Sequence, residues 1–151
     1  MIEKKITVKR YQELEEVLGT GTIQEPIQSP FDFIKLGSKG LPANALEHFN
    51  AYFDLSKNYT AHLLNLSEPT LYRLLKSGER LKKNNSIQLL EVADLFLYGI
   101  EVFENKENFF KWLNLSNVAL GGLEPQELVE VPGGVSKVRD LLGRIEHGVY
   151  S

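Results

Sequence analysis

A chain of 151 residues, 42% hydrophobic and 25% charged, has the composition of an ordinary folded protein of one or two small domains. Its net charge of −3 argues against a protein that coats nucleic acid indiscriminately, and the absence of cysteine removes disulfides and thiolate metal sites. No apolar run approaches the roughly 20 residues of a membrane span. The start, Met1-Ile2-Glu3-Lys4-Lys5, lacks a signal-peptide core, so a cytoplasmic address without membrane contact is expected.

In chain order, Ile6-Thr7-Val8 is a short β-capable start, followed by a helix from Tyr11 to Leu18 that Gly19-Thr20-Gly21 ends. Residues 19–30 carry two glycines and two prolines and hold no regular element, so 1–30 reads as an N-terminal arm and linker, ordered against a partner if at all. The compact part begins near Phe31, where Phe31, Phe33, Ile34 and Leu36 run into a turn at Gly37-Ser38-Lys39-Gly40. Leu41-Pro42 opens a helix on which Leu46, Phe49, Tyr52 and Phe53 fall at helical spacing. Ser56 caps a short helix from Lys57 to Leu64, and Asn65 suits the left-handed backbone of the turn that follows. Ser67 caps the next helix, with Pro69 and Thr70 in its first turn, and Ser77-Gly78 stops it after Lys76.

A long apolar helix then spans Ser86 to Phe103, with Ile87, Leu90, Ala93, Leu97 and Ile100 as core candidates and any exposed apolar residues as a dimer surface. Shorter segments follow at Glu107 to Asn114, Glu124 to Val129 and Ser136 to Gly148. With no period-two alternation after residue 35, the expected fold is mostly α. A helix-turn-helix core over 31–85 precedes a small helical domain over 86–151.

Residues Leu55 to Lys76 fit a helix-turn-helix in several independent details. Ala61 stands where two helices approach closely, Leu64 and Leu66 bracket the turn, and Leu71 and Leu74 fill the inner side of the second helix. Ser67, Glu68, Thr70, Arg73 and Lys76 form the candidate DNA-contacting set, since arginine and lysine can reach guanine edges or phosphates. A plain helical hairpin with a solvated polar face has the same periodicity. Charge is unevenly spread. Arg73, Lys76, Arg80, Lys82 and Lys83 face a single acid, Glu79, between 73 and 83, whereas 101–151 holds eight acidic and five basic residues.

The chain beyond Leu95 is more distinctive. It contains Val102-Phe103-Glu104-Asn105, Phe110-Lys111-Trp112-Leu113 and Asn117-Val118-Ala119-Leu120-Gly121-Gly122-Leu123-Glu124-Pro125, and it closes from Val138 with Arg144-Ile145-Glu146-His147-Gly148-Val149-Tyr150-Ser151. Gly121-Gly122 permits a tight reversal with Leu120, Leu123 and Leu128 as apolar locks around it, and Pro125 starts the next helix. Trp112 reads as core. On the last helix Val138, Leu141, Leu142 and Ile145 make an apolar stripe.

These strings resemble, in order and spacing, the toxin-binding domain of the Xre/MbcA/ParS antitoxin family. The stretch Leu63 to Arg73 with Gly78-Glu79-Arg80-Leu81 is similar to that family's Xre-type helix-turn-helix. The resemblance covers residues 31–151, about four-fifths of the chain. It implies a non-enzymatic antitoxin that acts as a homodimer, binds operator DNA and represses its own operon. The implied partner is a toxin, often a RES-domain protein that consumes NAD, whose active-site entrance is blocked by the antitoxin's C-terminal end. By the same resemblance Arg144, His147, Tyr150 and the carboxylate of Ser151 are the candidate toxin-binding residues. A plain transcription regulator, and an interaction module that has lost DNA binding, are the rival expectations.

Catalytic machinery is not expected. His48, His62 and His147 have no metal-ligand spacing, the glycine pairs lie outside any phosphate-binding pattern, and no nucleophile elbow is present. No cofactor or metal is therefore anticipated.

Overall fold

The computed structural model describes residues 2–148, with side chains described from Val8 onward. Its helices are α1 (Ile2–Val17), α2 (Phe31–Lys39), α3 (Asn44–Phe53), α4 (Lys57–Leu63), α5 (Glu68–Ser77), α6 (Lys83–Phe103), α7 (Lys106–Leu113), α8 (Pro125–Val129) and α9 (Gly134–Glu146), with a 3-10 turn at Val118–Leu120. Among the described residues the only extended pairing is an isolated antiparallel bridge, Pro42 to Arg80. The mostly helical fold is as expected. No helix among the described residues is long and apolar enough to cross a membrane. The chain divides into two compact units, residues 1–94 and Leu95 onward.

The first unit corrects the reading of its own beginning. Helix α1 starts at Ile2, through the Ile6-Thr7-Val8 run that local propensity assigns to a strand. Tyr11, Leu14 and Leu18 recur at helical spacing and are at most 5% exposed, so burial of one face outweighs the β-branched run. The segment is thus packed rather than a free arm. Arg10 Nε donates to Asp94 Oδ1 at 2.9 Å, with side-chain exposures of 11% and 5%, and the Tyr52 hydroxyl donates to Glu13 Oε1 at 2.6 Å. Residues 19–30 are irregular as expected, yet buried Ile23 and Ile27 pin them to the core.

Phe31 to Lys39 is a helix, where apolar residues running into a glycine turn were expected. Asp32 anchors its start by accepting from the backbone N–H groups of Gln28 at 2.8 Å and Ser29 at 3.2 Å. Gly37 does not break it, because the side chain of Ile87 lies 2.4 Å from where a Cβ would stand, so the glycine serves close packing. Pro42 does not open α3, which begins at Asn44; the 41–42 strip is tied instead to 80–81, Leu81 N donating to Leu41 O at 2.8 Å. Leu46, Phe49 and Phe53 of α3 form the centre of the unit, at most 2% exposed.

Helix α6 buries Leu89, Leu90, Val92, Ala93, Leu95 and Phe96 completely, and Leu97 is 3% exposed. Most of its apolar side is therefore used within this chain, while Ile87, Ile100, Val102 and Phe103 keep part of their surface in solvent.

The second unit is built on rings. Phe96 packs edge-on against Phe109 and Phe110 at 5.6 and 5.2 Å, and Trp112 lies over Phe103 at 5.3 Å and Phe109 at 6.2 Å. Trp112 keeps part of its surface in solvent. Leu113, Val129, Val138 and Leu142 are fully buried, joining α7, α8 and α9 in one small core.

Candidate functional site

The turn between α4 and α5 is set by backbone geometry that the sequence encodes locally. Ser56 caps α4, its Oγ accepting from Tyr59 N at 3.1 Å. At the other end Asn65 takes φ +54°, Leu66 N donates to Ala61 O at 2.9 Å and Asn65 N to His62 O at 3.2 Å. This pair of bonds is the Schellman closure, with asparagine in the place glycine often fills. Ala61 is 2% exposed, which keeps the two helices close. Buried Thr60 satisfies its hydroxyl on the Asn50 side chain.

On α5 the Ser67 Oγ accepts from Thr70 N at 3.2 Å and donates to Thr70 Oγ1 at 2.8 Å, fixing the first turn. Leu71 and Leu74 point inward. Glu68, Arg73 and Lys76 are exposed and Thr70 is partly so, which places the five residues of the predicted DNA-contacting set on one short helix and its cap. Arg73 donates to Glu79 Oε2 at 2.9 Å, and Arg80 to Gly40 O at 2.6 Å, whereas Lys76, Lys82 and Lys83 project into solvent. The Lys57 ammonium sits 5.4 Å from the centre of the half-exposed Tyr72 ring, adding two residues to this face that charge counting alone passes over.

Two further residues escaped sequence reasoning. The amides of Asn85 and Gln88, on α6, donate to Leu64 O at 3.1 Å and Leu63 O at 3.2 Å. They satisfy carbonyls that the end of α4 leaves open and tie the helix-turn-helix to α6. No local signal announces such a contact, since both partners are polar side chain and backbone far apart in the chain.

In the second unit the structure gathers the C-terminal strings into a turn and two helices. Asn117 Oδ1 accepts from Ala119 N at 2.9 Å, and the backbone closes through Asn117 N to Leu123 O and Gly122 N to Asn117 O, both 2.9 Å. Gly121 and Gly122 have φ of +67° and +87°, a pair of consecutive left-handed residues that side chains with a Cβ resist. Pro125, buried, begins α8 behind a capping box in which Glu127 Oε2 accepts from Glu124 N at 2.8 Å. Leu123, read as an apolar lock, is instead 44% exposed, and Val118 is 95% exposed.

Arg144 and His147 lie exposed at the end of α9. His147 Nε2 is 3.5 Å from Glu146 Oε1, an oxygen that also accepts from the Tyr98 hydroxyl at 3.0 Å. The other two candidates for toxin contact, Tyr150 and Ser151, lie outside the described residues. Among the described residues no group of three His, Cys, Asp or Glu could hold a metal ion.

Two family models match the chain, the antitoxin Xre-like helix-turn-helix domain over residues 32–96 and the antitoxin Xre/MbcA/ParS C-terminal toxin-binding domain over residues 99–148. A protein named "Prs ADP-ribosylating antitoxin" from Sphingobium sp. strain YBL2 is 26% identical over 132 residues, covering 82% of this chain and 83% of its own length. An "Antitoxin Xre" from Photorhabdus laumondii is 19% identical, covering 76% of this chain and 78% of its own. Another "Antitoxin Xre", from Yersinia enterocolitica, is 23% identical and covers 80% of each. With a capped helix-turn-helix in one unit and a toxin-binding domain in the other, the chain belongs to the Xre/MbcA/ParS family of antitoxins and has a cognate toxin as its partner.

Proposed function

We propose that this antitoxin neutralises a toxin of the RES-domain, NAD-consuming type by covering its active site, and that it represses its own operon as a homodimer on operator DNA. The observation that carries this reading is the joining, in one chain, of the matched helix-turn-helix and the matched toxin-binding domain. The name of the Sphingobium relative refers to ADP-ribosylation, and transfer of an ADP-ribosyl group consumes NAD. The exposed Arg144 guanidinium at the end of α9 lies a few residues before Tyr150 and Ser151, and a charged group of this kind suits the entrance of a site that accepts a charged dinucleotide. Arg144, His147, Tyr150 and Ser151 form this plug. The first unit, residues 1–94, is proposed to serve the operator and the second, from Leu95 onward, the toxin.

On the DNA side, Ser67, Glu68, Thr70, Arg73 and Lys76 face the duplex. Two copies match half-sites spaced about 34 Å apart, as paired recognition helices require. Arg73 exchanges its surface ion pair with Glu79 for a base or phosphate, because an exposed pair of this kind contributes only about 0–1 kcal/mol.

The test is direct. The adjacent gene, expressed alone, arrests growth; co-expression of this chain restores it, and the two proteins co-purify. Deleting Tyr150 and Ser151 abolishes rescue, and rescue by the shortened chain would sink the plug. Exchanging Arg73 and Lys76 for alanine weakens operator binding and flattens its salt dependence by about two phosphate contacts. Unchanged operator binding would exclude α5 as the reader.

A further inference from the structure

We propose that the turn over residues 114–123 is a rigid apolar anchor, which the toxin buries in addition to whatever it does with the chain terminus. The inference rests on the antitoxin reading, since it takes the toxin as occupant. Val118 is 95% exposed, Leu115 54% and Leu123 44%. A single exposed aliphatic residue needs no explanation. Three within one turn of ten residues, held by a dense set of internal bonds, do.

Asn117 is bonded through its N–H, its carbonyl and its side chain, to Leu123, to Leu120 and Gly122, and to Ala119 respectively. Gly121 N donates to Val118 O at 3.0 Å, and Asn114 Nδ2 to Phe110 O at 2.8 Å, so the turn is fastened to α7 before it begins. Two glycines at positive φ and the capping box of α8 hold its far end. All this backbone order presents an aliphatic side chain to water. In a free protein it gains nothing; in a complex it removes the entropy of ordering a loop on contact.

Charge and position select the occupant. The turn lies inside the matched toxin-binding domain, residues 99–148. No Lys or Arg occurs between Lys111 and Lys137, while Glu124, Glu127 and Glu130 follow the turn directly. The patch therefore suits an apolar recess with a basic rim. A second copy of this chain, meeting the patch across a twofold axis, would set these carboxylates against their own copies.

The anchor is tested with the full chain and the purified product of the adjacent gene, by calorimetry. Val118→Ala weakens binding about tenfold, the value of one buried valine side chain, and Val118→Asp weakens it about a hundredfold or more because a carboxylate enters an apolar recess. Melting temperatures stay at the wild-type value, since the side chain is almost wholly in solvent. Wild-type affinity in both variants would overturn the anchor while the antitoxin reading stands. Absence of binding by the wild-type chain would overturn both. Sedimentation that shows Val118→Asp dissolving a wild-type dimer, with toxin affinity unchanged, would assign the patch to a second copy and overturn the anchor as well.

Discussion

The two units use the same short helices but are held by different means. In residues 1–94, side chains far apart in sequence meet through directional bonds. Arg10 meets Asp94, Tyr52 meets Glu13, Thr60 meets Asn50, and the amides of Asn85 and Gln88 close the end of α4. From Leu95 onward, packing does more of the work: five rings stack between α6 and α7, and α9 begins so close to α8 that Gly134 has no room for a side chain. The surfaces differ in the same sense. The first unit carries twelve basic and twelve acidic residues, with five of the basic ones against one acid between 73 and 83; the second carries five basic against eight acidic and presents Leu115, Val118 and Leu123. On the proposed reading, the helix that faces DNA must be held at a fixed angle, and hydrogen bonds fix angles. A surface for another protein needs shape and apolar area, and close packing supplies both.

Substitutions can break this contrast. The largest effect is expected for Arg10→Ala, which removes the guanidinium from a carboxylate of 5% exposure and destabilises the chain by about 3 kcal/mol. It is read as a lowered denaturation midpoint with hydrogen-exchange protection lost in α1 and the 83–94 part of α6. A change below about 1 kcal/mol, typical of a surface pair, would show that packing holds the first unit too. Gly134→Ala comes next, because a Cβ would stand 1.5 Å from the Leu128 carbonyl oxygen; the forced shift of α8 against α9 costs about 2 kcal/mol. The protection lost should lie in α8 and α9, together with toxin affinity.

Smaller effects sharpen the contrast. Ser67→Ala removes the hydroxyl that caps α5 and costs about 1 kcal/mol, with operator affinity falling while toxin affinity is retained. The smallest effect belongs to Asp32. The N–H of Gln28, then that of Ser29, together with Lys35 hold its carboxyl below the usual aspartate range. A depressed folded-state value means stabilisation that is complete above the unfolded pKa of about 4 and lost as pH falls through the folded value. Asp32→Asn should therefore lower stability slightly at neutral pH and leave it unchanged in acid, which flattens the acid limb of the stability curve, checked by thermal melts between acid and neutral conditions.

How much of this could be read beforehand follows from how far each signal reaches. Ser56, Asn65, Ser67 and Gly78 are local punctuation, and each occupies the cap or turn that the residue type suggests. The start of α1 was hidden because its β-branched run speaks for a strand, and only burial of Tyr11, Leu14 and Leu18 decides otherwise. Gly37 pointed to a turn when its cause was Ile87, a neighbour fifty residues away. The same limit applies to the surfaces. The double glycine at 121–122 announced a reversal, but Leu123 appeared to be a lock beneath it, since hydropathy says nothing about which way a turn faces. The amide clamp of Asn85 and Gln88 was invisible for a plainer reason: polar residues on a helix have solvent as their default partner.

In the 114–123 turn, the residues that set the backbone, Asn117, Gly121 and Gly122, are different residues from the one that projects, Val118. Frame and tip can therefore change independently. A drifting toxin surface could be followed by exchanging one side chain at the tip, with stability untouched, and paralogous pairs in one cell could be kept apart by the same single position.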